Sequence, residues 1–240
     1  IGEVGQKKLL TAKVLVVGAG GLGAPVIFYL AAAGVGNITI VDNDLVSRSD
    51  LNRQIIYRDI DVGIAKSKLA AAAASAINPN IKTSYLFTRI TAKNACNLVK
   101  THDVVVDCSD NAEARYLIGD TAHYCKRPLV FGGAVRLEGQ VSVFQSSMSG
   151  HYNTPCFRCV FPAMPSANQI SNCSEAGILG PVAGIVGTLQ ALETIKLCLG
   201  QGSSLTGSLL LIEAGQTQFT SITTSSRPDC ICCGKYERAT

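Results

Sequence analysis

The 240-residue sequence predicts an α/β chain built on one doubly wound, mostly parallel sheet with antiparallel C-terminal strands. Three observations carry that expectation. Short apolar strand-like segments alternate with helical ones as far as about residue 133. A glycine-rich turn joins the first of those strands to the first helix. Beyond residue 133, strand-like segments follow one another without short helices between them. With 47% hydrophobic residues the chain can bury one large core, which excludes a disordered protein. Charged residues make up 16%, against a typical ~25%, so part of the surface is expected to be covered by a second copy. The net charge of +4 is scattered rather than clustered, so neither a nucleic-acid nor a membrane-surface partner is expected.

Each element has its own signal. Val14–Val17 reads as a buried strand, followed by the turn Gly18–Gly23 and a helix from about Leu22 to Ala33, with Pro25 tolerated in its first turn. Ile38–Val41 is the second strand. No charged side chain occurs between Val14 and Val41, a length that could span a bilayer, but the glycines and Pro25 divide it into strand, turn, helix and strand. Ala65–Ile77 is helical and stops before Pro79, because the residue preceding a proline avoids the α region. Ile81–Phe87 is strand, Ala92–Lys100 helix, Val104–Asp107 strand, Ala112–Cys125 helix and Leu129–Phe131 strand. Glu138–Gln145, Ser208–Glu213 and Gln218–Thr223 are the later strands, with a long apolar helix, Ile178–Leu199, between them. No secretory signal pattern is present, and the expected location is cytoplasmic.

Four motifs carry chemistry. Gly18-Ala19-Gly20-Gly21-Leu22-Gly23 fits the G-x-G-x-x-G of a Rossmann-like turn, where backbone approaches phosphate and a helix N-terminus offers free N–H groups. Asp42, ending the second strand, stands where a carboxylate accepts ribose hydroxyls. These two alone say only nucleotide, with NAD or FAD as the default reading and a plain tight turn as the bland one. The polar loop Asp42–Gln54 and Lys66 are unsuited to an apolar nicotinamide pocket. Arg53 and Lys66 look instead like donors to a triphosphate, or else like solvated surface cations. In Asp107-Cys108-Ser109-Asp110-Asn111, at the end of the fourth strand, the aspartates could hold Mg²⁺, or Asp110 or Asn111 could cap the next helix.

Ten cysteines raise the alternative of a disulfide-stapled secreted protein, but a chain of this size has no need of staples. Cys156–Cys159 and Cys230–Cys233 are two CxxC knuckles, read together as one four-cysteine structural zinc site; disulfides or a redox CxxC are the alternatives. Cys173 sits just ahead of the long helix, where a thiol gains thiolate character, or is buried and inert. Cys96, Cys108, Cys125, Cys198 and Cys232 read as small core residues, Cys232 also as a spare beside the knuckle. His102, His123 and His151 show no ligand or triad spacing.

Taken together GAGGLG, Asp42, SDLNRQ, Lys66, DCSDN, the paired knuckles and NCSEAG resemble the ThiF/MoeB/HesA family of ubiquitin-activating-like adenylyltransferases, over about Gly5 to Gly234. The resemblance implies a single adenylation domain over residues 1–240, with a nucleotide-binding half (1–133) and a carrier-binding and zinc half (134–240). It implies ATP-dependent activation of the C-terminal glycine of a ubiquitin-like sulfur carrier ending in Gly-Gly, as a homodimer, with a separate sulfur donor. By that resemblance Gly18, Gly20, Gly21 and Gly23 cradle ATP together with Asp42, Asp44, Asp50, Asn52, Gln54 and Asn111. Arg53 and Lys66 neutralise the phosphates, Asp110 holds Mg²⁺, Cys173 acts covalently with the carrier, and Cys156, Cys159, Cys230 and Cys233 bind zinc.

Two departures stand out. The family pattern S-N-L-x-R-Q here carries Asp50 in place of its asparagine, and a carboxylate near phosphates is repulsive unless a cation sits beside it. The family's R-Y-x-R-Q segment lies upstream of Ile1, where this sequence begins, so it is either left out of the sequence or its first arginine is lacking from the ATP site. Other functions in view are adenylation of a peptide or modified-tRNA carboxylate, a catalytically dead carrier-binding scaffold, and a nicotinamide oxidoreductase.

Overall fold

The computed structural model describes residues 1–148, 150, 153–165, 177–202 and 204–234. In chain order the elements are α1 (Gly2–Thr11), β1 (Lys13–Val17), α2 (Gly23–Ala33), β2 (Asn37–Val41), α3 (Lys66–Ile77), β3 (Lys82–Leu86), α4 (Ala95–Lys100) and β4 (Val104–Asp107). They continue with α5 (Ala112–Tyr124), β5 (Leu129–Val135), β6 (Glu138–Phe144), α6 (Phe157–Val160), α7 (Gly180–Leu199), β7 (Ser208–Glu213) and β8 (Gln218–Thr223). One eight-stranded sheet runs in the order β3-β2-β1-β4-β5-β6-β7-β8. It is parallel from β3 to β5 and antiparallel from β5 to β8. The expected Rossmann-like architecture is therefore present, and the order reverses at β1, whose neighbours are β2 and β4. That reversal opens a crevice at the carboxyl ends of these strands.

β1 is buried on both faces, which is why KVLVV is an unbroken apolar run after its first residue. Val14 and Val16 join a core shared with α2, α3 and α7; Leu15 and Val17 join a second core beneath α4, α5 and α6. Each such fully buried side chain contributes roughly 1.5–3 kcal/mol of burial free energy. The stretch Val14–Val41 folds as strand, turn, helix and strand, as expected. Among the described residues, α7 is long and apolar enough to cross a membrane by length and composition, and 50% of its apolar window is buried within the protein.

The structure differs from the sequence reading at several places, the short α6 within the first knuckle among them. α1 has no counterpart in that reading, because GEVGQKKLLT has only a weak apolar stripe; its Leu9 is fully buried and its Lys8 Nζ donates to the Leu199 carbonyl at 2.6 Å. β5 continues through Gly132 and Gly133 to Val135 instead of ending at Phe131, so position 133/134 falls inside a strand of one continuous sheet. Those glycines are space requirements rather than stops: a Cβ on Gly132 would lie 2.3 Å from the Gln190 side chain, and one on Gly133 2.9 Å from Arg115. α4 starts three residues late, at Ala95, because Asn94 Oδ1 accepts from Thr91 N–H at 2.8 Å and closes a turn first. α7 starts at Gly180, since Ile178 pairs as an isolated bridge with Arg136.

Gly36 shows how tightly α1 is fitted. A Cβ there would lie 1.7 Å from the Leu10 carbonyl oxygen, on backbone that cannot move independently. Gly36→Ala is expected to cost about 3 kcal/mol and lower Tm by roughly 10 °C in a thermal melt, without disturbing the crevice. An unchanged Tm would show that α1 yields freely.

Candidate active site at the carboxyl ends of the parallel strands

The crevice is a cleft of about 430 Å³ with three walls. The floor is the turn after β1. Gly18 has φ +96° and a Cβ on it would meet the Cys108 carbonyl oxygen at 2.5 Å, so only glycine holds this conformation. Gly18 N–H donates to the Val41 carbonyl at 2.8 Å. Asp42 then fixes the turn from β2: its Oδ2 accepts from Ala19 N–H at 2.7 Å and its Oδ1 from Asp44 N–H at 2.8 Å. Burial raises the Asp42 carboxyl above its ordinary range in spite of those two donors. Its remaining lone pairs are available to hydroxyl donors.

The second wall is the loop between β2 and α3. Lys66 at the start of α3 is 5% exposed, with Nζ 3.3 Å from Asp44 Oδ2 and 3.2 Å from Asp50 Oδ2. Arg53 Nη2 is 3.2 Å from Asp50 Oδ1. Asp50 thus lies buried between two cations. Burial pushes its carboxyl up, but the Ser47 N–H and Lys66 outweigh that and hold it below the ordinary value. The repulsion expected of a carboxylate in the asparagine position is therefore offset by cations. The Gln54 side chain, 4% exposed, has its amide nitrogen 3.5 Å from where a Gly20 Cβ would be, while its Oε1 has no hydrogen-bond donor among the described residues. Such an orphaned buried acceptor beside the glycine turn suits a ligand that brings its own donor.

The third wall follows β4. Asp107 is fully buried, its Oδ1 accepting from Ser109 N–H at 2.9 Å and from Ser109 Oγ at 2.6 Å, while Oδ2 has no hydrogen-bond partner among the described residues. Asn111 Oδ1 accepts from Ala114 N–H at 2.9 Å and caps α5. The capping role thus falls to Asn111. That leaves Asp110, which lines the cleft and enters no ion pair among the described residues.

Of the residues singled out in the sequence, Gly18, Gly20, Gly21, Asp42, Asp44, Arg53, Gln54, Lys66, Asp110 and Asn111 line this one cleft. Three stand behind its walls. Gly23 is the first residue of α2, where a Cβ would press on the Gly18 carbonyl oxygen at 2.2 Å. Asp50 backs Lys66, and Asn52 Oδ1 accepts from Arg53 Nη1 at 3.1 Å. Cys173 lies outside the described residues, as does the segment 166–170 that follows Pro162 and Pro165.

Motif reading missed Thr88, Arg89 and Ile90 after β3 and Arg115 on α5, all of which line the cleft. Their signal is positional, since loops at the carboxyl ends of parallel strands face the crevice. It also missed Tyr57, whose buried hydroxyl is 2.7 Å from the Ala19 carbonyl and 3.2 Å from that of Lys66, joining floor to second wall. Burial raises the Tyr57 hydroxyl well above its ordinary range, which keeps it a donor.

The knuckle cysteines converge as the spacing predicts. Sγ of Cys156 is 3.8 Å from that of Cys159 and 3.5 Å from that of Cys230, and Cys159 is 3.3 Å from Cys233. All four sulfurs lie within 4.8 Å of one another, an arrangement that can hold a metal ion. A tetrahedral ion with metal–sulfur bonds of about 2.3 Å sets its ligands roughly 3.8 Å apart, so the donor set fits with little movement.

Comparison with known proteins agrees with this geometry. The ThiF family matches residues 1–232. The sulfur carrier protein adenylyltransferase of Thermus thermophilus is 42% identical over 234 residues, covering 98% of this chain and 86% of that protein. The pig (Sus scrofa) adenylyltransferase and sulfurtransferase MOCS3 is 44% identical across the whole chain, which spans 52% of its length. Among solved structures, Escherichia coli MccB with MccA-N7isoASN superposes with a TM-score of 0.84 at 22% identity, over 97% of this chain and 69% of MccB; at that identity the likeness is one of fold. The chain belongs to the ThiF family.

Proposed function

We propose that this protein is an ATP-dependent adenylyltransferase that activates the C-terminal glycine carboxylate of a ubiquitin-like sulfur carrier as an acyl-adenylate. The observation that carries the reading is the meeting of Arg53, Lys66 and Asp110 with the glycine turn in one cleft, on a chain so similar to a named sulfur carrier protein adenylyltransferase. A carboxylate attacking the α-phosphate meets like charge until cations offset it. Arg53 offers a planar fork and Lys66 a point charge to the phosphates, each already held in place by Asp50. Asp42 accepts from the ribose, the Gly20 and Gly21 backbone N–H groups donate to the phosphate chain, and Gln54 Oε1 accepts from a donor elsewhere on the nucleotide. Attack forms the acyl–phosphate bond as pyrophosphate leaves, its charge held by the same two cations.

Asp110 is the residue suited to hold Mg²⁺, which would supply further charge neutralisation at the phosphates. Zn²⁺ suits the four thiolates of Cys156, Cys159, Cys230 and Cys233, which leave no open position and so make a structural site. The proposal takes the chain as one adenylation domain working in the cytoplasm as a homodimer. It assigns sulfur to a separate donor, with Cys173 as the covalent partner of the carrier. Support for the homodimer comes from Leu45, Ile55, Ile60, Val62 and Ile64. These residues cluster on the loop that forms the second wall, and Ile60 is 80% exposed.

The test is ATP–pyrophosphate exchange with a panel of small carriers ending in Gly-Gly. Exchange is expected with one carrier and should disappear when its last glycine is removed. Absence of exchange with every carrier, in metal-loaded protein, would overturn the reading in favour of a peptide acceptor or a non-catalytic carrier-binding role.

A further inference from the structure

Outside the four-sulfur cluster, two more thiols stand together. Cys96, in the first turn of α4, and Cys125, the residue that ends α5, have sulfurs 3.4 Å apart although 29 positions separate them. Both are partly exposed, and among the described residues neither forms a disulfide. Cys108 and Cys198 offer a contrast: each is a thiol raised by burial and placed by its own core packing, Cys108 against Gln190. α5 leaves the cleft after Asn111 and carries Cys125 at its far end, and α4 begins five residues beyond the cleft-lining Ile90.

We propose that Cys96 and Cys125 are a redox-active thiol pair that a peroxide closes to a reversible disulfide, stapling α4 to α5. The sulfurs already touch at 3.4 Å, about 1.4 Å beyond the ~2.05 Å of a disulfide bond. The Cys96 thiolate attacks one peroxide oxygen, the O–O bond breaks, hydroxide leaves and Cys96 becomes a sulfenic acid. The Cys125 sulfur then attacks that sulfur; the S–S bond forms, the S–O bond breaks, and the hydroxyl leaves as water with the Cys125 proton. The two sulfurs together give up two electrons and the peroxide is reduced to water. Burial and the neighbouring Cys96 push the Cys125 thiol up to about 11, and the same balance holds if the two sulfurs exchange roles. In a reducing compartment such a bond is transient, which suits a sensor rather than a staple for folding.

The experiment treats the full, metal-loaded chain with stoichiometric hydrogen peroxide, quenches with an alkylating agent, and maps peptides by mass spectrometry. The expected result is a loss of about 2 Da, one linked peptide pair containing Cys96 and Cys125, recovery with dithiothreitol, and metal content unchanged. Closing this loop is expected to raise Tm by roughly 5–10 °C in the oxidised sample. Cys96→Ser and Cys125→Ser should each abolish the linked peptide and the Tm rise, leaving the surviving thiol to gain about 16 or 32 Da instead. Alkylation of both cysteines to the same extent before and after peroxide would overturn the proposal. So would a linked peptide drawn from the knuckle cysteines, or persistence of the Tm rise in either single variant.

Discussion

Lys66→Met is expected to lower ATP–pyrophosphate exchange by about 10²–10³-fold, the usual effect of removing one charge that is fixed in place before the transition state forms. Its ammonium is enclosed, 5% exposed, and held between Asp44 and Asp50. Removing it does more than subtract the proposed donor to the phosphates. Asp50 is left buried with only Arg53 beside it, and breaking a buried pair from one side costs about 3–5 kcal/mol. Stability and activity should therefore fall together in the single variant. They should separate in Lys66→Met/Asp50→Asn, where the uncompensated carboxylate is gone: Tm should largely recover while exchange stays low. Recovery of both would show that Lys66 serves the fold alone, and full exchange in the single variant would remove it from the catalytic set.

Cys159→Ala is expected to reduce bound zinc from about one ion per chain to near zero and to lower Tm by roughly 10 °C or more. The size of the effect comes from what the knuckle is attached to. Phe157 lies between the two cysteines of the first CxxC and is buried among aromatic rings, 5.1 Å from Tyr116, 5.4 Å from Phe131, 5.7 Å from Phe144 and 4.9 Å from Phe161 between centroids. A metal that fixes Cys156 and Cys159 fixes Phe157, and with it the core beneath α5 and β5. It also secures the chain after β8, where Arg227 N–H donates to Cys159 Sγ at 3.3 Å. Cys232→Ser should leave zinc content and Tm unchanged, because Cys232 is outside the set of four. Metal analysis alongside a thermal melt reads both; a metal-free Cys159→Ala that melts like the parent chain would show the knuckle to be dispensable.

Much of this molecule is legible in its sequence wherever a local rule operates. The alternation up to residue 133, the glycine turn and the paired knuckles each follow from backbone sterics or ligand spacing, and each occurs where expected. What stays hidden depends on contacts between distant segments. Gly132 and Gly133 look like a strand end until Gln190 and Arg115 are seen to need the space. α1 has little apolar pattern of its own and is held by Leu9 and by Lys8 reaching the end of α7. Arg89, Arg115 and Tyr57 belong to no motif and gain their places from the topology that folds three loops onto one cleft. Asp50 is the instructive case. Its identity in the sequence suggests a misplaced negative charge, and only the spatial neighbourhood of Arg53 and Lys66 gives it a use.

That internal pairing has a bearing on how an anion reaches the cleft. Arg53, Lys66, Arg89 and Arg115 on its lining are matched by Asp42, Asp44 and Asp110 there and by Asp50 behind Lys66, four charges of each sign. From beyond a Debye length, about 8 Å at physiological ionic strength, the two sets cancel and the cleft exerts little pull on a polyanion. A polyanion entering this cleft would therefore be selected by short-range fit more than by electrostatic steering. For the nucleotide proposed above, discrimination falls at contact, where Arg53 and Lys66, held by Asp50, meet a phosphate chain only when the rest of the molecule fits the cleft.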